Sequence, residues 1–182
     1  LTISRYITGL LFIFSGLVKA NDPMGLSYKM QEFFEVWNLH ALNQVSTPLS
    51  IAMIAFEIIA GVAVIIGWRF RAFSWLLLLL IVFFTFLTGY ALLSGKIREC
   101  GCFGNCFRIT AQESFIKDII LLLLIVFIFV NRKLVTCRLS NSIAIASMVA
   151  ATVLSFGLQW YVLNYLPFLD CLPYKVGNNI IE

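Results

Sequence analysis

Long apolar runs separated by short polar segments are the feature that most constrains the fold of this chain. A helix of about 20 apolar residues crosses the hydrocarbon core of a bilayer, and 61% of the 182 residues are hydrophobic. The pattern excludes a soluble fold and predicts an all-α, polytopic membrane helical bundle, with residues 1–182 forming a single transmembrane domain. Five spans are predicted, over residues 3–18, 49–68, 72–93, 110–130 and 142–166.

The segment between the first two runs predicts a further helix that does not cross the membrane. Asp22 can cap its first turn, and Pro23 suits the first helical position. Apolar residues at helical spacing form one face, made of Leu26, Met30, Phe33, Phe34 and Trp37. The pattern predicts an amphipathic helix, either lying in the membrane interface or packed over the ends of the bundle.

Two of the predicted spans have recognisable starts. Thr47 can cap the second span, and Pro48 suits its first turn. Thr110 and Glu113 have the spacing of a capping box at the start of the fourth span.

The placement of basic residues predicts the orientation of the bundle. Two loops carry basic residues and no acid, and they contain Arg69, Arg71, Arg132, Lys133 and Arg138. Because Lys and Arg in short loops favour the cytoplasm, both loops are predicted to lie inside. In a bacterial inner membrane the N-terminus is then inside, and the tail formed by residues 167–182 is outside.

Four of the five cysteines fall on the predicted outer side, where disulfides form and persist. Cys100, Cys102 and Cys106 lie in the loop of residues 95–109, here called the thiol loop, and Cys171 lies in the tail. Cys137 alone faces the cytoplasm, where an ordinary reduced thiol is expected.

The spacing of the loop cysteines suits a reactive dithiol. The Cα atoms of Cys100 and Cys102 are at most about 7 Å apart, so a disulfide between them is strained and therefore labile. Cys106 precedes the fourth helix by four residues, and a thiol near a helix N-terminus gains thiolate character.

The cysteine pattern is consistent with three kinds of site. The first is redox exchange, with Cys106 or Cys171 as a relay. The second is purely structural bridging, since four outward cysteines allow three pairings. The third is a metal or cluster site, although this spacing is not a standard zinc spacing and the single histidine, His40, is remote in sequence.

An acidic residue lies within the second predicted span. Glu57 is about 12 Å below the outer end of that span, a depth at which a carboxyl group costs several kcal/mol unless it is paired or protonated. It can exchange a proton, bind a polar head group such as that of a quinone, or form only a structural hydrogen bond. Lys19, Lys117 and Asp118 are predicted on the same side, so a quinone head could lie between these groups and the thiol loop.

These motifs together resemble the DoxX/MauE-like membrane proteins, particularly the MauE-like branch. The similarity extends over nearly the whole chain and rests on FSGLVKANDPMG, on the Glu57 helix with Gly61, and on ECGCFGNC before TAQESF. It implies a four-helix core, to which this chain adds a fifth span and an outward tail. MauE-type proteins are associated with disulfide formation in periplasmic or secreted partners, and DoxX relatives with quinone-coupled sulfur oxidation.

The resemblance implies a redox role for Cys100 and Cys102 and the role of an intramembrane acid for Glu57. We therefore expect electron exchange between the quinone pool and a periplasmic thiol or thioredoxin-like protein. Lys19, Glu57 and Asp118 are expected to bind the quinone, with no metal and no nucleic acid. Three alternatives stay open: a non-enzymatic scaffold or assembly subunit with structural disulfides, a small-molecule carrier that uses Glu57, and electron flow in the opposite direction, which would reduce outward substrates.

Overall fold

The computed structural model describes residues 1–94, 110–135, 137, 139–165 and 167–168, and all regular secondary structure in these residues is helical. Two short 3-10 helices, His40–Val45 and Arg132–Leu134, link longer elements. The α-helices are α1 (Thr2–Ala20), α2 (Pro23–Val36), α3 (Ser46–Ile66), α4 (Phe70–Ser94), α5 (Ala111–Val130) and α6 (Asn141–Asn164). Their ends lie within three residues of those predicted for the five spans.

Two antiparallel helix pairs, α1 with α3 and α4 with α5, form a four-helix core. The sixth helix packs on α3 and more lightly on α1, so the predicted bundle with a fifth long helix outside its core is confirmed. Side chains from all four core helices meet in one apolar cluster, made of Phe12, Ala60, Val64, Phe70, Leu77, Ile81, Leu121, Ile125 and Ile128.

The bundle is built to lie in a membrane. Among the described residues, four segments are long and apolar enough to cross a bilayer, namely α1, His40–Ile66, α4 and α6. The 20-residue α5 packs among them, although its first two turns carry the charged residues Glu113, Lys117 and Asp118. The chain is therefore a multi-pass membrane protein.

The antiparallel order gives the bundle two chemically different ends. At one, here called the loop end, α4 finishes at Ser94 and α5 starts at Ala111, on either side of the thiol loop. At the other, here called the basic end, α1, α4 and α6 start while α3 and α5 finish. The described cationic residues at the basic end are Arg5, Arg69, Arg71, Arg132 and Lys133.

The predicted amphipathic helix between the first two spans is α2, and it packs mainly on α3. The Asp22 carboxylate accepts a hydrogen bond from the Gly25 backbone N–H at 2.9 Å, as a capping residue should. Leu26, Met30 and Phe33 are buried, whereas Phe34 and Trp37 of the predicted apolar face are half-buried. The helix thus uses its apolar face to cover the loop end of the bundle.

One of the two predicted helix starts is wrong. Helix α3 begins at Ser46 and lacks a side-chain cap, because the Thr47 hydroxyl instead contacts the Ser27 hydroxyl of α2 at 2.9 Å. The capping box at the start of α5 is confirmed. There the Glu113 carboxylate accepts a hydrogen bond from the Thr110 backbone N–H at 3.0 Å, and the Thr110 hydroxyl accepts one from the Glu113 backbone N–H at 3.3 Å.

Arg5 ties the start of α1 to the end of α3. Its guanidinium donates hydrogen bonds to the Val64 and Ile65 carbonyl oxygens at 3.0–3.2 Å, and it lies 5.2 Å from the centre of the Phe70 ring. The last carbonyls of a helix lack partners within it and carry partial negative charge, so a cation there is favourable. The contact fixes α1 against α3 at the basic end.

Helices α1 and α3 cross with their backbones nearly touching at two glycines. A Cβ atom added to Gly61 would lie 2.7 Å from the Gly9 carbonyl oxygen, and one added to Gly9 would lie 2.8 Å from the Gly61 carbonyl oxygen. Two turns along α1, a Cβ atom on Gly16 would lie 2.6 Å from Cγ1 of Ile58. Small residues allow this close approach between membrane helices.

We expect Gly61→Ala to lower the stability of the bundle by about 1–3 kcal/mol, because backbone must move to accommodate the added methyl group. Gly157→Ala in α6 is the matched control, since its Cβ would meet nothing within 4 Å. Thermal unfolding of both variants in detergent measures the difference. An equal melting temperature for Gly61→Ala and the unaltered protein would contradict the close crossing.

Candidate functional site

A buried ion pair joins α1 to α3. Lys19 Nζ lies 2.5 Å from Glu57 Oε1, and each side chain is only 3% exposed. The Ser15 hydroxyl donates to the second carboxylate oxygen, Oε2, at 3.2 Å. The Lys19 ammonium group also lies 4.8 Å from the centre of the Phe84 ring of α4. The face of an aromatic ring carries partial negative charge and attracts a cation. Glu57 therefore has a protein partner on each oxygen.

A second buried carboxylate, Asp118, joins α5 to α4. Lys117 Nζ lies 3.0 Å from Asp118 Oδ1, and the Thr88 hydroxyl lies 3.1 Å from Asp118 Oδ2. Only 2% of the Asp118 side chain is exposed, against 28% for Lys117. Each of the two carboxylates thus has one lysine and one hydroxyl, and the two units come from different helix pairs.

A cavity of about 70 Å³ lies between the two carboxylate units. A water molecule needs roughly 10–15 Å³ of such space, so the cavity has room for several waters or for a small polar group. Its walls come from all four core helices, through Leu11, Phe12, Ser15, Lys19, Glu57, Ile81, Phe84, Lys117, Asp118 and Leu121. The structure therefore brings together Lys19, Glu57 and Asp118, the three residues that the sequence predicts to bind a cofactor.

Local helix geometry explains the position of each polar side chain. Ser15 and Lys19 are four residues apart and therefore share a face of α1. Gly16 lies between them, and a Cβ atom there would be 3.4 Å from Glu57 Cβ, so the close crossing brings that face against the carboxylate. Asp118 lies eight residues after the Thr110 cap, about 12 Å along α5 from the end of the thiol loop.

The predicted catalytic cysteines lie outside the described residues. These are Cys100, Cys102 and Cys106 in the thiol loop and Cys171 in the tail. Cys137, which is described, is exposed and has a free thiol at the basic end. In the described part of the chain no group of three His, Cys, Asp or Glu side chains could hold a metal ion.

Three residues of the site were missed from the sequence. Ser15 could have been found, because it lies one turn before Lys19 on the same helix face. Thr88 is a polar residue in an apolar helix, but its pairing with Asp118 depends on how α4 packs against α5. Phe84 gave no signal, since it is one of 17 phenylalanines in the sequence.

The described helices α1 to α5 coincide with a match to a known family. Residues 1–131 match the family model described as "Methylamine utilisation protein MauE". The chain belongs to the MauE family. This confirms the resemblance drawn from the sequence, and it leaves α6 outside the matched residues. No curated protein and no solved structure matches the chain.

In this MauE-family protein, the cavity combines charge compensation with burial. Removing a carboxylate from water costs several kcal/mol, and a nearby cation with additional hydrogen bonds offsets that cost. Both carboxylates of the cavity have such partners and lie within the bundle. Groups arranged in this way can hold or release a proton, or bind a polar head group that enters from the membrane.

We expect Glu57→Leu and Lys19→Met each to destabilise this MauE-family protein by about 3–5 kcal/mol, because each leaves one buried charge without its partner. The double variant should lose less stability than the two single variants lose together, since it removes both charges. Lys29→Met is the control, because Lys29 pairs with Glu32 where both side chains are partly exposed, 24% and 39%. Additive losses in thermal unfolding would contradict the ion pair.

Proposed function

We propose that this protein is a membrane thiol–disulfide redox protein that exchanges electrons between protein thiols outside the membrane and the quinone pool. The observation that carries the proposal is the cavity near the loop end, where Glu57 and Asp118 each have a lysine and a hydroxyl partner. Reduction of a quinone takes two electrons and two protons. Two buried carboxylates on one cavity can each exchange one of those protons.

The Thr88 hydroxyl can form a hydrogen bond with Asp118 whether it donates or accepts. The Thr88 hydroxyl lies 3.1 Å from Asp118 Oδ2 and 3.0 Å from the Phe84 carbonyl oxygen. A hydroxyl has one proton to donate and two lone pairs. It can therefore donate to an ionised Asp118, or accept from a protonated Asp118 while donating to the Phe84 carbonyl. This supports Asp118 as a group that takes up and releases a proton.

The proposed electron transfer has two balanced steps. A partner dithiol attacks the disulfide of Cys100 and Cys102 through a mixed disulfide, which leaves an oxidised partner and a reduced loop. The loop dithiol then returns to the disulfide by losing two electrons and two protons, and a quinone gains both and becomes a quinol. Cys106 or Cys171 can relay the exchange, and Lys19 can bind a quinone oxygen.

The distribution of charge supports an orientation with the thiol loop outside a bacterial inner membrane. The described basic end has five cationic side chains, including Arg5, whereas the acids among the described residues all lie elsewhere. Basic residues in short loops favour the cytoplasm. On this basis the N-terminus is inside, and the thiol loop faces the compartment in which disulfides persist.

We expect the purified protein in lipid to reduce a soluble ubiquinone analogue at the expense of a dithiol peptide, as measured by quinol formation. Cys102→Ser should abolish turnover. Glu57→Gln should slow it by about 100-fold or more, the usual contribution of a proton-transfer group. Cys137→Ser is the matched control and should keep full activity, because that thiol lies at the opposite end.

The same samples distinguish the redox protein from a scaffold with structural bridges. Alkylation before and after mild reduction, followed by mass spectrometry, should show an exchangeable loop disulfide. Cys100→Ser and Cys102→Ser each keep one of the two thiols, which should attack the same peptide supplied in its disulfide form and hold it as a mixed disulfide. Inert bridges, no trapped species and no quinol would together refute the redox proposal.

We expect an impermeant maleimide to label the thiol loop in intact spheroplasts after mild reduction, and to label Cys137 only after the membrane is opened. Single-cysteine variants that retain Cys106 or Cys137 allow each site to be followed by mass shift. The opposite labelling order would place the loop in the reducing cytoplasm and would overturn the orientation.

A further inference from the structure

We propose that the groove between α1 and α5 holds the isoprenoid tail of the quinone whose head enters the charged cavity. The groove has a volume of about 310 Å³ and is open to the side of the bundle. It shares Leu11, Lys117 and Leu121 with the cavity. The two spaces are therefore adjacent, and the proposed route of entry to the cavity runs from the lipid between these two helices.

The polarity of the groove changes along its length. Glu113 and Lys117 line the part nearest the loop end, and the rest of its lining is apolar: Leu11, Ile116, Ile120, Leu121 and Leu124. From Glu113 to Leu124 the groove follows α5 for about 16 Å. This gradient matches an amphiphile whose polar head is at the loop end and whose hydrocarbon tail points toward the membrane centre.

Lys117 lies at the junction of the two spaces. Its side chain is 28% exposed and contacts Asp118 inside the cavity, while its apolar stem can lie along the groove, as lysine stems do at apolar surfaces. A ligand entering from the lipid would pass this side chain before reaching Asp118. Lys117 is thus a positioning residue for the head group, and Ile120 contacts the tail.

The inference rests on the proposed quinone chemistry, and it adds the route of entry and a separate subsite for the tail. A cavity of about 70 Å³ offers little apolar surface to a long ligand. The groove supplies that surface, so affinity should depend on tail length.

We test the inference with two ubiquinone analogues, one with a decyl tail and one without a tail. Binding is measured by calorimetry in detergent, with protein-free micelles as the reference. The unaltered protein should bind the tailed analogue at least tenfold more tightly. Ile120→Trp, which fills the groove, should remove most of that advantage and leave the affinity for the tail-less analogue within twofold.

Leu123→Trp is the matched control. Leu123 is on the same helix and is 66% exposed, against 55% for Ile120, but it does not line the groove. Leu123→Trp should leave the affinities for the tailed and the tail-less analogue unchanged. A second groove variant, Leu124→Trp, should reproduce the effect of Ile120→Trp, because Leu124 lines the groove and not the cavity. A tailed quinone with a photoreactive group at the end of its tail should label α1 or α5.

The possible failures of the two proposals are distinct. If both analogues bind equally and the groove variants have no effect, the tail subsite is refuted while the quinone function stands. If neither analogue binds, the quinone function fails and the tail subsite with it. If added phospholipid abolishes the tail-dependent gain, the groove is a lipid site and its assignment to the quinone is overturned.

Discussion

The close crossing of α1 and α3 is the constraint on which the rest of the structure depends. The backbones approach at Gly9 and Gly61 to distances that no larger residue would allow. That approach holds Lys19 against Glu57, and the resulting ion pair compensates a carboxylate that would otherwise be costly inside a membrane. Packing and electrostatics are thus coupled, because the charges can be buried only if the helices are this close.

The second helix pair completes the site by the same principle. Asp118 is buried within α5 because Lys117 and Thr88 surround it, so a helix with charged residues in its first two turns can pack within an apolar bundle. The apolar cluster below it fixes α4 and α5 against α1 and α3. The cavity lies between the two polar units, one from the α1–α3 pair and one from the α4–α5 pair.

The arrangement accounts for a division of roles between the parts of the chain. Helices α1 to α5, which match the MauE family within residues 1–131, supply every described residue of the cavity and the groove. Helix α6 lies on the outside of α3 and contributes none of them. In the proposed mechanism the thiol loop joins α4 to α5 directly, so the element that carries the cysteines is anchored to the helix that carries Asp118.

The sequence alone determined the helical class, the approximate ends of the long helices and the buried position of Glu57, because apolar run length and the cost of a charge in lipid are local properties. It also suggested Lys19 and Asp118 from their predicted depth. Only the tertiary structure decided that Ser15 and Thr88 complete the carboxylate units and that a groove between α1 and α5 adjoins the cavity. Those facts depend on how closely and at what rotation the helices pack. That packing is set by contacts between residues far apart in the chain, such as Gly9 with Gly61.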